Sequence, residues 1–127
     1  MASQVQYYNQ FGELYEESIL GCPEPEYWTT DYSEKGRIYI EMKKRIDQQK
    51  ELIAEYFTNK FTVLDIGCGF GRQAVLLAKM GFKVTGTDTS DVFIQIASKL
   101  FEKNNYKGEF LCTDIISGGG GTIKYFC

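Results

Sequence analysis

The chain contains no histidine, which argues against any reading in which these residues supply an imidazole base or an imidazole metal ligand. Its cysteines, Cys22, Cys68, Cys112 and Cys127, are widely spaced with no C-x-x-C pair. With neither paired spacing nor a histidine to complete a zinc set, no metal is expected and the thiols read as reduced side chains of a cytoplasmic protein. Proline is nearly absent: Pro23 and Pro25 are the only two, and both fall between Gly21 and Glu26, marking a turn or loop there. No apolar run approaches the roughly 18 residues of a spanning helix. The start, Met1 to Gln6, lacks the basic and apolar regions of a signal peptide. A soluble protein with no membrane partner is expected. Positive charge is also short. With 14 basic against 17 acidic residues, a net charge of -3 and a pI near 5.0, the chain has no basic footprint, so a nucleic-acid partner is not favoured.

What is present is apolar and aromatic material in quantity. At 127 residues, 43% hydrophobic with nine Tyr and nine Phe, the chain can build one core and at most one domain. Residues 3 to 20 place Val5, Tyr8, Phe11, Leu14, Tyr15, Ile19 and Leu20 at spacings of three and four, one face of a helix interrupted by Gly12. Residues 35 to 57 repeat the pattern with Ile38, Met42, Ile46, Ile53, Tyr56 and Phe57, and with Glu41 four before Arg45. The mixed charges on its other face suit solvent. Tyr27 and Trp28 follow the proline loop and serve either as a lid over a ligand or, preferably, as a pin holding the first helix to the rest.

From residue 61 the pattern becomes alternating strand and helix. Phe61-Thr62-Val63-Leu64-Asp65-Ile66 is a short apolar, β-branched run that breaks into Gly67-Cys68-Gly69-Phe70-Gly71 and then into a helix-forming segment. Glycines at this spacing let the backbone turn with positive φ and let a ligand approach the main chain. The following helix offers unpaired N–H groups and a positive dipole end. Ala74, Val75, Leu77 and Ala78 form a small apolar face ended by Gly81. A second strand, Phe82 to Asp88, leads to a helix capped by Ser90 or Asp91 that buries Val92, Phe93, Ile96, Ala97 and Leu100. A third strand runs from Gly108 to Thr113 and ends at Asp114. Single helices between strands give right-handed crossovers and a parallel sheet. All strand ends then open on one rim, and Asp65, Asp88 and Asp114 should share it. Asp88 lies about 20 residues beyond Gly67, the offset at which a carboxylate can accept from ribose hydroxyls.

The run Val63-Leu64-Asp65-Ile66-Gly67-Cys68-Gly69-Phe70-Gly71 resembles the first motif of class I S-adenosylmethionine-dependent methyltransferases. Its G-x-G-x-G spacing differs from the G-x-G-x-x-G of dinucleotide-binding turns, which argues against a nicotinamide-dependent oxidoreductase although Asp88 would suit one. The resemblance covers residues 1 to about 116. It implies an α/β, Rossmann-like parallel sheet, truncated to three or four strands. Residues 1–60 would be an N-terminal helical cap and residues 61–127 an incomplete cofactor-binding domain, together one compact unit. It further implies S-adenosylmethionine held by Asp65, Gly67, Cys68, Gly69 and Gly71, with Asp88 on the ribose, Asp114 on the adenine amino group and the Ile115 main chain on the adenine ring. Thr89 stands where the family usually has a larger apolar residue against the adenine face. Arg37 is either a holder of the ligand carboxylate or, preferably, a surface arginine. Cys68 reads as structural, and no catalytic base is assigned.

The implied activity is methyl transfer to a small-molecule acceptor. Because a sulfonium carries its own activation, the protein's task is alignment and exclusion of water, worth up to about 7–11 kcal/mol. Asp65, Phe70 and the N-terminal tyrosines are the expected neighbours of the cation. The alternative is a non-catalytic S-adenosylmethionine or S-adenosylhomocysteine module. Ser117 to Gly121 reads as a flexible tract and Thr122 to Cys127 as a fourth strand, placed beside the first by the resemblance. The family's complete sheet has more strands than this. The chain is therefore expected to be a fragment of a longer protein, or else a shortened relative whose sheet edge needs a partner.

Overall fold

The structure, a computed structural model, describes residues 4–30, 36–57, 62–113 and 125–126, the last two in backbone only. Helix α1 (Gln4–Leu20) leads through a 3-10 turn (Pro25–Tyr27) to α2 (Arg37–Tyr56). Then come β1 (Thr62–Ile66), α3 (Arg72–Lys79), β2 (Lys83–Asp88), α4 (Asp91–Lys103), β3 (Gly108–Cys112) and β4 (Tyr125–Phe126). The sheet is parallel in the order β3-β2-β1-β4. The register sets Val63 beside Val84 and Val84 beside Gly108, and β4 pairs Leu64 with Tyr125 and Asp65 with Phe126. The parallel sheet expected from the strand–helix alternation, and the truncated Rossmann-like arrangement implied by the resemblance, are therefore what forms.

This order places the site. Steps from β1 to β2 to β3 run in one direction, so right-handed crossovers put α3 and α4 on the same face. With β4 on the far side of β1, the strand order reverses next to β1. An open parallel sheet leaves a crevice at the carboxyl ends of its strands where that reversal occurs. The core beneath it joins Val63 and Val84 to Ala74, Val75, Leu76, Leu77, Ile96 and Leu100, all essentially inaccessible. Each large aliphatic side chain buried in this way contributes roughly 1.5–3 kcal/mol.

Two expectations about helix faces are corrected. In α1, Leu14 is 74% exposed, because Tyr8, Phe11, Tyr15 and Ile19 keep one line at spacings of three and four while residue 14 falls well off it. In α2 the buried residues are Ile46 and Ile53; Ile38 and Tyr56 lie on one flank of that face and are 48% and 71% exposed. Gly12 does not interrupt α1, which is continuous through it. A Cβ there would come within 2.7 Å of Val92 Cγ1, so the glycine sets how closely α1 lies on α4.

Of the two capping candidates, Ser90 is the cap and Asp91 lies in the first turn of α4. Ser90 Oγ accepts from Phe93 N at 3.2 Å and donates to Asn9 Oδ1 of α1 at 2.6 Å. Ser90→Ala removes both bonds from a fully buried position. It is expected to lower stability by about 1–2 kcal/mol, read as a lower urea midpoint at unchanged slope.

Candidate functional site

The glycine turn is built from hydrogen bonds that extend the sheet. Cys68 N donates to Thr87 O at 2.9 Å, so the turn remains tied to β2 after β1 has ended, and Gly71 N donates to Cys68 O at 3.1 Å. Gly67, Gly69 and Gly71 all have positive φ, at 68°, 56° and 102°, a conformation costly for other residues. They are not equivalent in space. A Cβ on Gly67 would meet nothing within 4 Å, and one on Gly69 only Phe93 Cδ2 at 4.0 Å, whereas one on Gly71 would meet Ala97 Cβ at 3.2 Å. The first two face open space; the third permits α3 to sit against α4.

That open space has two lobes that meet at Ile66, Gly67, Gly69 and Phe93. The first, about 410 Å³, is bounded by Asp88 and Thr89 at the end of β2, by Thr113 after β3, and by Gln4 and Tyr8 of α1. The second, about 440 Å³, is bounded by Asp65, Cys68 and Phe70, by Arg72 and Gln73 of α3, and by Phe11 of α1. The expected residues Asp65, Gly67, Cys68, Gly69, Asp88 and Thr89 thus line one continuous crevice. Gly71 lines neither lobe, for the packing reason just given. Asp114 and Ile115, like the glycine tract, lie outside the described residues. Thr113, immediately before them, is held at the crevice by its N–H on Asp88 O at 3.0 Å.

Asp88 is fixed from both sides. Its Oδ2 accepts from Gly69 N at 2.9 Å and its Oδ1 from Ser90 N at 2.8 Å. A carboxylate has about four acceptor positions, so those two bonds set its direction and leave capacity on each oxygen for a diol. Asp65 is the opposite case. It is 2% exposed, and among the described residues its Oδ2 has no hydrogen-bond partner. Burial, and secondarily the charge of Asp88, push its carboxyl up to about 7. Burial also pushes the Cys68 thiol far above its ordinary range, with the Asp65 and Asp88 charges adding to the effect. A thiol held protonated in this way is a poor nucleophile, which agrees with a structural part for Cys68.

Arg37 is 89% exposed at its side chain and pairs with Glu41 at 3.2 Å, which places it on the surface. Tyr27 and Trp28 pin the N-terminal segment. Trp28 is 2% exposed, its Nε1 donates to Ser18 Oγ at 2.8 Å, and Tyr27 OH donates to Asp47 Oδ1 at 2.7 Å. Sequence reasoning missed Gln4, Phe93, Arg72 and Gln73 as crevice residues. Phe93 was legible only as a core residue, and its ring serves both purposes, packing on Tyr8 and Phe11 at 5.7 and 6.1 Å while bounding both lobes. Arg72 directly follows the glycines, so its adjacency to them was the available signal. Among the described residues no cluster of three metal-ligating side chains occurs and no helix is long and apolar enough to cross a membrane.

Known proteins resemble this chain in sequence and in fold. Residues 63–118 match the methyltransferase domain family. The ubiquinone biosynthesis O-methyltransferase of Rickettsia akari is 33% identical over 92 residues, 70% of this chain and 36% of that protein. A putative methyltransferase of Geobacillus sp. is 48% identical over 48 residues, 38% of this chain and 19% of that protein. Among solved structures, magnesium protoporphyrin IX methyltransferase from Synechocystis PCC 6803 with bound SAH superposes with a TM-score of 0.64 and 26% identity, covering 90% of this chain and 51% of that one. The chain therefore spans between a fifth and about a third of the length of these two curated relatives, 19% and 36%.

Proposed function

We propose that this chain, which carries part of a class I S-adenosylmethionine-dependent methyltransferase fold, is the cofactor-binding part of an enzyme that methylates a small-molecule acceptor. The observation that carries the reading is the two-lobed crevice around Gly67 and Gly69, since the ligand is itself bipartite, an adenosine joined to an amino-acid tail. The lobe of Asp88 and Thr89 suits the adenosine. Asp88, already oriented by two backbone N–H groups, would accept from the ribose hydroxyls, and Tyr8 and Phe93 would supply the ring faces that Thr89 lacks. Asp114 and the Ile115 main chain, next after Thr113, are the proposed partners of the adenine.

The lobe of Asp65 suits the tail. A buried carboxylate oxygen without a partner is costly, and a ligand ammonium would satisfy it. The vacant Cβ directions of Gly67 and Gly69 give the room a ligand needs at the turn. S-adenosylmethionine, when bound, supplies a methyl group already activated on a sulfonium. The chain's own residues orient the ligand, present Asp65 and the Phe70 ring to its positive charge, and exclude water with α1 and the Trp28 turn. Residues 1–60 would act as the cap and residues 61–127 as the cofactor domain. The acidic balance of the chain supports a small acceptor over a nucleic acid.

Calorimetric titration of the chain with S-adenosylmethionine, S-adenosylhomocysteine and NAD in parallel tests this. Saturable binding of the first two and none of the third is expected. Binding of NAD alone, or of no ligand by a folded chain, would sink the assignment. Assays of the full-length protein against small-molecule and macromolecular acceptors then test the acceptor class.

A further inference from the structure

Arg72 occupies the first position of α3, where the positive end of the helix dipole disfavours a cation, and no acidic residue in that turn offsets it. Among the described residues it forms no ion pair. Its Nη1 instead donates to two main-chain carbonyls far away in sequence, Glu26 O at 3.1 Å and Trp28 O at 2.7 Å. Its guanidinium carbon lies 5.1 Å from the centre of the Phe70 ring. Burial, and next the charge of Arg45, lower its pKa to about 10, so the group is a cation held in a place that neither the helix nor the solvent favours.

The two carbonyls belong to the segment between α1 and α2, one within the 3-10 turn and one just after it. Trp28 contacts Phe70 with ring centres 5.5 Å apart, Tyr15 at 5.5 Å and Phe11 at 6.2 Å. Phe11 and Phe70 are walls of the lobe that holds Asp65. A single guanidinium therefore touches the glycine turn, through Phe70, and the N-terminal segment, through two carbonyls. We propose that Arg72 is a positioning residue, whose clamp on Glu26 O and Trp28 O holds the N-terminal segment against the glycine turn and so completes the tail lobe. Its ligand rests on the cofactor reading above. The clamp itself does not.

The single tryptophan of the chain is at the clamp, so its fluorescence reports the clamp without a ligand. Arg72→Met keeps the apolar stem and removes the donors. Below its unfolding range it is expected to red-shift Trp28 emission, raise acrylamide quenching and weaken S-adenosylhomocysteine binding at least tenfold by calorimetry. The control is Lys79→Met, which removes the 2.5 Å ion pair between the far end of α3 and the same segment and leaves the clamp residues in place. It should lower Tm yet leave emission unchanged and Kd within twofold. Unchanged emission in Arg72→Met, or affinity lost in proportion to Tm in both proteins, would overturn the proposal. If Arg72→Met does not fold, Arg72→Gln, which retains one donor nitrogen, should show a smaller shift and a several-fold loss; wild-type values there also overturn it. A wild-type chain that binds no S-adenosylhomocysteine refutes the cofactor reading, and the clamp is then judged on emission alone.

Discussion

Gly69→Val is expected to abolish S-adenosylhomocysteine binding in a chain that still folds. The substituted residue keeps a left-handed φ of 56°, which costs about 1–3 kcal/mol of strain, but its Cβ points into the crevice with only Phe93 Cδ2 nearby, at 4.0 Å. The space taken is space that the protein does not use and that the proposed ligand needs. Gly86→Ala makes the opposite change. Its backbone is unstrained, yet the new Cβ would lie 2.6 Å from the Phe110 ring and 3.0 Å from Cys68 Sγ, so overpacking should cost about 1–3 kcal/mol of stability. Thermal unfolding and calorimetry on the two proteins separate the effects. Retained affinity in a folded Gly69→Val chain would remove the ligand from the turn.

Asp65→Asn is expected to change stability and binding in opposite directions above neutral pH. The Asp65 carboxyl, ordinarily near 3.8, sits at about 7 in the folded chain. Between those values the folded state keeps a proton that the unfolded state releases, so the stability tied to this group falls as pH rises and is fully lost above about 7. At 1.36 kcal/mol per unit this is at most about 4 kcal/mol. The asparagine chain lacks that slope, and its stability relative to wild type should rise between pH 4 and 8. Binding responds the other way. A ligand ammonium favours the ionised carboxylate, so wild-type affinity for S-adenosylhomocysteine should strengthen from pH 5.5 to 7.5. The Asp65→Asn chain should bind more weakly at pH 7.5 by about 1.5–3 kcal/mol, the worth of a charged hydrogen bond. Parallel stability–pH curves for the two proteins would show that Asp65 is ionised at ordinary carboxylate pH. Equal affinities at pH 7.5 would take it out of the tail lobe.

Much of the site was legible because its signals are local. A positive-φ turn needs glycine whatever surrounds it, and a strand ending in an acid places that acid on the rim of a parallel sheet wherever the helices pack. Gly67, Gly69, Asp65 and Asp88 could be named on those grounds. The helix faces were legible to within one flank, since periodicity identifies a stripe but not which edge of it a neighbour covers. Leu14, Ile38 and Tyr56 fell on uncovered edges for that reason.

By itself, then, the sequence determined the order of elements, the glycine turn and the place of Asp65 and Asp88 at the ends of the first two strands, all of which follow from steric rules acting over a few residues. Only the tertiary structure decided the rest. It separated Gly71, pressed on Ala97, from Gly67 and Gly69, which are open to the crevice. It buried Asp65 with its Oδ2 unpartnered among the described residues, brought Tyr8 and Phe11 over the crevice, and spent the charge of Arg72 on carbonyls far away in the chain. Each of these depends on how closely α1, α3 and α4 approach one another, and that distance is set by what meets across the core, such as Val92 against the bare Cα of Gly12, and not by any pattern along the chain.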